Sequence, residues 1–348
     1  MATTQIMSER IAALGLEHRP VGGTTDEEDK AFFSQYAHLP PNDRVPHIMD
    51  GFFGGILPRK ALPDLRRIAE DWKPDLIVRE EIEYGGLILS ELTGIPHSKV
   101  CITLGNRLEN MADPIDRLRQ EYGLMPDRGA AIDSAPTFTA FPASMEAALG
   151  TTDPRAKVRV WTAPETRPME TSDWRSGSGS PHLYMTFGTV VGSSDQAKRM
   201  FRAVLDAVAG MDAHVLMTTG AQMDLAALGA IPANVTLREF VPQNEVLPHV
   251  EAVLCHGGSG TVLGALSTAL PLVVTPIAAD QPDNAKAVAG IGAGIEVPEP
   301  DSAAIRTALT SVLSDPRFAA RARDTAEEMK AHLGIGGAVQ EMLSGVSQ

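Results

Sequence analysis

The chain is poor in cysteine: it has two in 348 residues, Cys101 and Cys255. Each stands in an apolar run typical of a β-strand. The pair therefore predicts neither a disulfide framework nor a cysteine set for a metal ion. Such cysteine usage is typical of a reducing compartment, and we expect a cytoplasmic protein.

Basic charge and long apolar runs are also scarce. Lysine and arginine number 30 against 44 aspartates and glutamates, which gives a net charge of −14. An acidic chain is a poor partner for nucleic acid or for an anionic membrane surface. No apolar run approaches the ~20 residues of a membrane helix, and the opening residues lack the basic and apolar regions of a signal peptide. We expect neither nucleic-acid binding nor integral membrane association.

The length and one biased stretch predict two domains. A chain of 348 residues exceeds what one hydrophobic core usually serves. Proline, glycine and serine are dense in 162–181, which predicts a linker. We therefore expect an N-terminal domain over 1–161, a second domain over 182–330 and a C-terminal helix over 331–348.

Beyond this linker, short apolar strands alternate with amphipathic helices. This pattern predicts an α/β domain with a parallel, doubly wound sheet, in which ligands bind beyond the carboxyl ends of the strands. Four of the predicted strand ends lead into glycine or polar residues, at Gly188-Thr189, Val241–Gln243, His256 and Asp280-Gln281. We expect these positions to line one crevice.

A glycine-rich turn follows the predicted strand that ends at Cys255. The turn begins with His256-Gly257-Gly258, and a helix opens at Ser259 or Gly260. Unpaired N–H groups at a helix start attract anions, and glycines let a phosphate approach the backbone closely. An imidazole can donate a further hydrogen bond, so the turn indicates a diphosphate site.

Asp280 and Gln281 lie one strand further along the chain. A carboxylate beside an amide suits the vicinal hydroxyls of a sugar. Each feature alone has a plainer explanation: a structural histidine, an ordinary turn, a helix cap. Their order within one strand–helix–strand unit favours a nucleotide-sugar.

The combined pattern resembles a known signature. His256-Gly257-Gly258-Ser259-Gly260-Thr261, with Phe240-Val241-Pro242-Gln243 before it and Asp280-Gln281-Pro282-Asp283-Asn284-Ala285 after it, closely resembles the donor site of family 1 glycosyltransferases. The nearest likeness is to actinobacterial enzymes that glycosylate natural products. The resemblance implies the GT-B fold, in which two doubly wound Rossmann-like domains face each other across a cleft.

The resemblance also assigns roles. It implies that Val241 and Gln243 meet the pyrimidine base and that Asp280 and Gln281 take the sugar hydroxyls. The positions that would hold the donor diphosphate are His256, Gly257, Gly258, Ser259, Gly260, Thr261 and Thr189. No metal and no cofactor are implied beyond the UDP- or dTDP-sugar itself. Where many relatives carry a ribose-binding glutamate this chain has Gly264, which favours a dTDP-sugar.

The N-terminal domain departs from the pattern. Relatives begin with a strand, a Gly-His loop, a helix and a second strand, and that histidine is the general base. This chain opens with Met7–Leu16, which resembles the helix leading into the third strand. We therefore expect the domain to lack its first βαβ unit, to leave a break in its sheet, and to represent a truncated chain of low transfer activity.

Glu80 remains as a candidate catalytic residue. It directly follows a predicted buried strand, Asp75 to Arg79, where relatives place the aspartate that orients the base histidine, and that histidine is absent from this chain. An ordinary loop carboxylate is an equal explanation for Glu80.

These observations favour an inverting glycosyltransferase that moves a sugar from a UDP- or dTDP-sugar to a hydroxyl of a small hydrophobic natural product. The alternative is a non-catalytic or truncated homologue that binds nucleotide-sugar or assists a partner glycosyltransferase. A nucleotide-sugar epimerase is a weaker third hypothesis. The oligomeric state stays open, with a homodimer among the alternatives.

Overall fold

The first elements form a small parallel sheet. The computed structural model describes residues 1–104, 111–150, 157–162, 174, 179–188, 195–299 and 301–345. Strand β1 (Ala2–Thr3) pairs with β2 (Arg19–Pro20), and helix α1 (Ser8–Ala13) connects them. The sequence predicts a strand over 16–21 but none before the helix. Each of these strands has two residues, which is too short for an alternating pattern of apolar and polar residues to show in the sequence.

Helices fill the next part of the N-terminal half. They are α2 (Asp26–His38), α3 (Pro41–His47), a π-helix (Ile48–Ile56) and α4 (Leu57–Trp72). A group of aromatic rings packs where α2 meets the π-helix: Phe32 stacks on His47 and contacts Phe52. Residues 49–62 form an apolar run that predicts either an acceptor-pocket wall or ordinary core packing. This run lies in the π-helix and the beginning of α4.

A five-stranded sheet follows, in the order β13–β6–β5–β4–β3, with all pairs parallel. Its strands are β3 (Ile77–Glu80), β4 (His97–Cys101), β5 (Thr137–Thr139), β6 (Lys157–Trp161) and β13 (Leu333–Gly334). The helices between them are α5 (Tyr84–Thr93), α6 (Ala112–Glu121), α7 (Ala130–Ser134) and α8 (Ala143–Ala148).

Strand β3 is an edge strand. The β1–β2 ladder and this sheet share no hydrogen-bonded strand pair in the described part of the chain. The expectation of a fully buried strand here is wrong: the Val78 side chain is 52% exposed, whereas Arg79 beside it is buried. An open edge explains why an apolar side chain on β3 meets solvent.

The C-terminal half carries a six-stranded parallel sheet in the order β12–β11–β10–β7–β8–β9. This is the doubly wound order, with its reversal between β7 and β10. The strands are β7 (His182–Thr186), β8 (His214–Thr218), β9 (Val235–Arg238), β10 (Ala252–Cys255), β11 (Leu272–Val274) and β12 (Gly294–Glu296). Buried apolar side chains cover both faces of this sheet.

Helices flank the six strands on both faces. They are α9 (Asp195–Val208), α10 (Gln243–Val246), α11 (Ser259–Ser267), α12 (Gln281–Gly290), α13 (Ser302–Ser314) and α14 (Pro316–Lys330). Asp301 caps α13 by accepting hydrogen bonds from the N–H groups of Ala303 and Ala304.

The chain returns to the N-terminal sheet at its end. Strand β13 pairs with β6, with Leu333 opposite Val160, and helix α15 (Ile335–Ser344) follows. The two halves also touch directly, since a Cβ placed on Gly290 of α12 would lie 2.8 Å from the Cβ of Ala148, the last residue of α8. Among the described residues, no helix combines the length and apolarity that crossing a membrane requires.

Candidate functional site

The glycine-rich turn lies at the carboxyl end of β10, between β7 and β11 in the sheet. Helix α11 begins directly afterwards, and its N-cap residue, Gly258, offers no side-chain hydrogen bond. The first N–H groups of this helix are therefore not capped by the residue before it. Such a helix start, at a topological switch point of the sheet, is suited to a phosphate group.

At two glycines of the turn, any larger residue would clash with its neighbours. Gly257 has φ +89°, and a Cβ there would lie 2.9 Å from Val274 Cγ1. A Cβ on Gly258 would lie 2.5 Å from Nε2 of His256. The glycines thus create the space in which the imidazole lies beside the helix start.

His256 is a largely buried imidazole. Its Nδ1 is buried and has no hydrogen-bond partner in the described structure. Burial lowers the pKa of His256, and this outweighs the opposite effects of the Thr186 backbone and the negative charge of Asp280. The ring is therefore neutral near pH 7 and carries a single N–H, so Nδ1 donates to a bound anion only in the tautomer that places the proton on Nδ1.

A hydrogen-bonded triangle connects the turn to the next strand end. Ser259 Oγ donates to Asp280 Oδ2 at 2.6 Å, and Asn284 Nδ2 lies 2.9 Å from the same oxygen. Asn284 Nδ2 also donates to the carbonyl of Gly257 at 2.8 Å. No sequence pattern predicts a role for Asn284, although its side chain is fully buried.

The triangle refines two predicted contacts. The Ser259 hydroxyl proton is directed to Asp280, so the backbone N–H of Ser259 is what this residue offers an anion. Asp280 is held through Oδ2, and Oδ1 is left for a ligand. Gln281 accepts through Oε1 from the N–H groups of Ile277 and Ala278, at 2.8 and 2.9 Å, and its Nε2 is left for a ligand.

The predicted base-binding residues lie on the opposite flank of α11. Val241 is 9% exposed and belongs to the hydrophobic core. Gln243 opens α10, and its Nε2 donates to the carbonyl of Gly260 at 3.4 Å. Thr189, the remaining predicted diphosphate contact, lies outside the described residues.

Glu80 belongs to the other sheet. It is the last residue of β3, its Oε2 accepts from the N–H of Ile82 at 3.1 Å, and its buried Oε1 has no partner among the described residues. Burial raises the pKa of Glu80 to about 7. The next carboxylate, Glu81, is engaged by the N–H groups of Ile102 and Thr103. Glu80 therefore has a carboxylate oxygen without a hydrogen-bond partner among the described residues.

A cavity of about 650 Å³ opens in the N-terminal half between α3, the π-helix and α6. Pro46, Gly51 and Pro114 line it together with an ion pair between Asp50 and Arg117. The described residues contain no group of three or more His, Cys, Asp or Glu side chains arranged to hold a metal ion.

Comparison with known sequences identifies similar proteins. Residues 202–341 match the family described as "Erythromycin biosynthesis protein CIII-like, C-terminal domain". The elloramycin glycosyltransferase of Streptomyces olivaceus is 30% identical over 315 residues, which cover 88% of this chain and 77% of that protein. The 4'-demethylrebeccamycin synthase of Lentzea aerocolonigenes is 27% identical, over 92% of this chain and 87% of that protein.

Solved structures share the fold. The glycosyltransferase SnogD from Streptomyces nogalater superposes with a TM-score of 0.80 at 22% identity, over 99% of this chain and 90% of that one. The glycosyltransferase VinC in complex with dTDP superposes with a TM-score of 0.76 at 22% identity, over 99% of this chain and 91% of that one. Together with the two main parallel sheets, these likenesses confirm the predicted GT-B fold.

Proposed function

The chain belongs to the glycosyltransferases of actinobacterial natural-product biosynthesis, and we propose that it transfers a sugar from a dTDP- or UDP-sugar to a hydroxyl of a small hydrophobic acceptor, with inversion. The observation that carries this proposal is the triangle of Ser259, Asp280 and Asn284. These hydrogen bonds connect the glycine-rich turn, which is suited to a phosphate, with the Asp280 carboxylate, which is suited to sugar hydroxyls. A donor with its diphosphate and its sugar side by side fits that arrangement.

The diphosphate would lie at the start of α11. The N–H groups from Gly257 to Gly260 and the imidazole of His256 would donate to its oxygens. The N–H of Thr261 already donates to the carbonyl of Gly258 at 3.0 Å, so Thr261 would contribute its hydroxyl, as would Thr189. The helix dipole favours an anion there, which matters most as negative charge develops on the leaving diphosphate. We propose that this site needs neither metal nor cofactor, which a chelator tests: turnover should be unchanged by EDTA.

The donor's two ends would lie on opposite flanks of α11. Asp280 Oδ1 and Gln281 Nε2 would meet the sugar hydroxyls on one flank. Val241 and Gln243 would meet the nucleoside on the other. This assignment follows from the contacts of α11, which touches Asp280 through Ser259 and Gln243 through Gly260.

The proposed reaction is a displacement at the anomeric carbon. The acceptor oxygen forms a bond to this carbon while the bond to the diphosphate oxygen breaks, and the electron pair leaves with the diphosphate. The acceptor's proton passes to a general base. By the family resemblance, Glu80 occupies the position that orients a base histidine in relatives, and no histidine of this chain is assigned that role; the pKa of about 7 would make such an orienting role of Glu80 pH-dependent.

The N-terminal cavity is our candidate for the acceptor. Its volume of about 650 Å³ falls in the range of small-molecule sites. Its lining combines apolar Leu39, Pro46 and Pro114 with charged side chains such as Asp50 and Arg117, which suits a mainly hydrophobic aglycone with polar substituents.

Two substitutions separate the sugar contacts from the nucleotide contacts. Asp280→Ala and Gln281→Ala should weaken binding of an intact dTDP-sugar while binding of free dTDP hardly changes, as measured by calorimetry. Lys286→Ala, at an exposed position of the same helix, is the control. Equal losses for both ligands would mean that the pair supports the fold instead of the sugar.

A further inference from the structure

Three buried hydroxyl groups meet where β7 and β8 end. Thr186 and Thr218 are the last residues of these two parallel strands and are paired in the ladder. Tyr184 lies two residues before Thr186 and therefore on the same face of the sheet. All three side chains are buried, and the face that they share is otherwise apolar. Hydroxyl groups in such a place are costly unless they are hydrogen-bonded.

The three hydroxyls form a hydrogen-bonded chain. The Thr218 hydroxyl donates to Oγ1 of Thr186 at 2.8 Å, and the Tyr184 hydroxyl lies 3.3 Å from Oγ1 of Thr218. Since the single proton of Thr218 is directed to Thr186, Tyr184 is the donor in the second contact. Oγ1 of Thr186 also accepts from the N–H of Gly188 at 3.2 Å. The chain thus ends on the backbone of the turn that follows β7.

This turn is in contact with the imidazole of His256. Gly188 has φ +74°, and a Cβ there would lie 3.0 Å from Cε1 and 3.1 Å from Nε2 of His256. The backbone of Thr186 also acts on the ring, because it opposes the lowering of the His256 pKa by burial. The position of the turn therefore limits where the imidazole can lie beside the start of α11.

We infer that Thr218 is a positioning residue for sugar transfer, which holds the His256 imidazole in place for the donor diphosphate by way of the turn after β7. The Thr218 hydroxyl is itself engaged by two protein hydroxyls, so it acts through its neighbours. This inference rests on the proposed function, because it concerns the diphosphate site of the same donor.

Thr218→Val nearly keeps the shape of the side chain and removes its hydroxyl, so that Thr186 and Tyr184 each lose a buried partner. We expect this variant to bind dTDP about fivefold to tenfold more weakly in calorimetry. Thr218→Ser keeps the hydroxyl and should bind dTDP within about twofold of the unmodified chain. Thr325→Val is the matched control and should retain full affinity, because Thr325 is equally buried and its hydroxyl donates to the carbonyl of Arg321 within α14.

A double-mutant cycle tests the route of the effect. In the His256→Ala background, Thr218→Val should change the dTDP affinity by less than about twofold, because the imidazole that it positions is gone. A full further loss in that background would mean that Thr218 acts on the donor by another route. That result, or unchanged dTDP affinity in Thr218→Val alone, would overturn the inference.

The His256 ring gives a second measurement that needs no nucleotide. NMR spectra of the histidine rings identify the His256 signals by their absence in His256→Ala. These signals, and the pKa that they report, should change in Thr218→Val and stay unchanged in Thr325→Val. Tyr184→Phe, which removes only the outer hydroxyl, should change them in the same direction and replaces Thr218→Val if that variant does not fold.

The two measurements distinguish the inference from the proposed function. Binding of dTDP to the unmodified chain with His256 signals that are the same in every variant would overturn the role of Thr218 and leave the donor site standing. Absence of dTDP binding to the unmodified chain would overturn the proposed function and, with it, the role of Thr218.

Discussion

At the scale of single residues, the site depends on side chains that fix one another. The His256 ring lies where Gly258 lacks a Cβ, and Asp280 is held through one oxygen by Ser259 and Asn284. The glycine turn could be predicted from the sequence because its geometry is local. The role of Asn284 could not, because it depends on how α12 packs against the turn, which periodicity does not encode.

The first prediction concerns His256. His256→Ala should weaken dTDP binding by about 1.5–3 kcal/mol, the usual contribution of a hydrogen bond to a charged group. Calorimetry against the exposed His38→Ala control measures this. Unchanged affinity would remove His256 from the phosphate site.

Asn284 gives a second prediction. Asn284→Ala leaves the Gly257 carbonyl and the Asp280 carboxylate each short of a donor in a buried setting. We expect the free energy of unfolding to fall by about 1–3 kcal/mol, and the affinity that the sugar adds to dTDP to fall several-fold. The ratio of the dTDP and dTDP-sugar dissociation constants, measured below the melting transition, reports the second effect. A ratio equal to that of the unmodified chain would limit Asn284 to a structural role.

At the scale of elements, the sequence predicts the C-terminal half well. The predicted helix over 195–209 corresponds to Asp195–Val208, and the predicted strand over 182–187 corresponds to His182–Thr186. These elements have clear apolar patterns because both faces of the sheet are covered. Around β1–β3 the prediction is less complete. The sequence does not predict β1, β2 occupies only two residues of the run predicted over 16–21, and β3 exposes Val78 at an open edge.

Glu80 on β3 predicts a particular pH dependence. Its pKa of about 7 in the folded chain exceeds the ordinary 4.5, so the folded state binds more protons between these values. Its contribution to stability is therefore fully present below about pH 4.5 and is lost as pH rises through 7. Glu80→Gln should be more stable than the unmodified chain at pH 8 by about 1–3 kcal/mol, with a much smaller difference at pH 4.5.

Denaturant unfolding at both pH values measures this difference, with the exposed Glu9→Gln as control. Parallel stability profiles for Glu80→Gln and the unmodified chain would contradict a burial-raised pKa at this position.

At the scale of the whole molecule, the two halves are joined by direct packing and by the returning chain end. Helices α12 and α8 meet at Gly290 and Ala148, and Glu328 of α14 accepts a hydrogen bond from the N–H of Ser144 at 3.1 Å. The helix that packs against the N-terminal half at Gly290 begins beside Asp280. Relative placement of the halves therefore sets the position of an acceptor against the donor sugar. No sequence pattern specifies that placement, since it depends on contacts between distant segments.

Gly290→Leu should disturb this placement. The added side chain meets Ala148 and pushes the halves apart, while the turn at His256 is unchanged. We expect dTDP affinity within about twofold of the unmodified chain but a transfer rate at least tenfold lower, because small displacements of reacting groups cost up to about a hundredfold. Gly336→Leu, where an added Cβ meets nothing within 4 Å, is the control. A normal transfer rate in Gly290→Leu would show that this contact does not position the acceptor.

The central claim is sugar transfer with inversion from a nucleoside diphosphate donor, and product analysis tests it most directly. The chain would be incubated with a dTDP-sugar of known anomeric configuration and a panel of hydroxylated hydrophobic aglycones, and the products resolved by mass spectrometry and NMR. We expect one glycoside per dTDP released, with the anomeric configuration opposite to that of the donor. A glycoside that retains the donor's configuration, or an altered sugar still attached to dTDP, would contradict it.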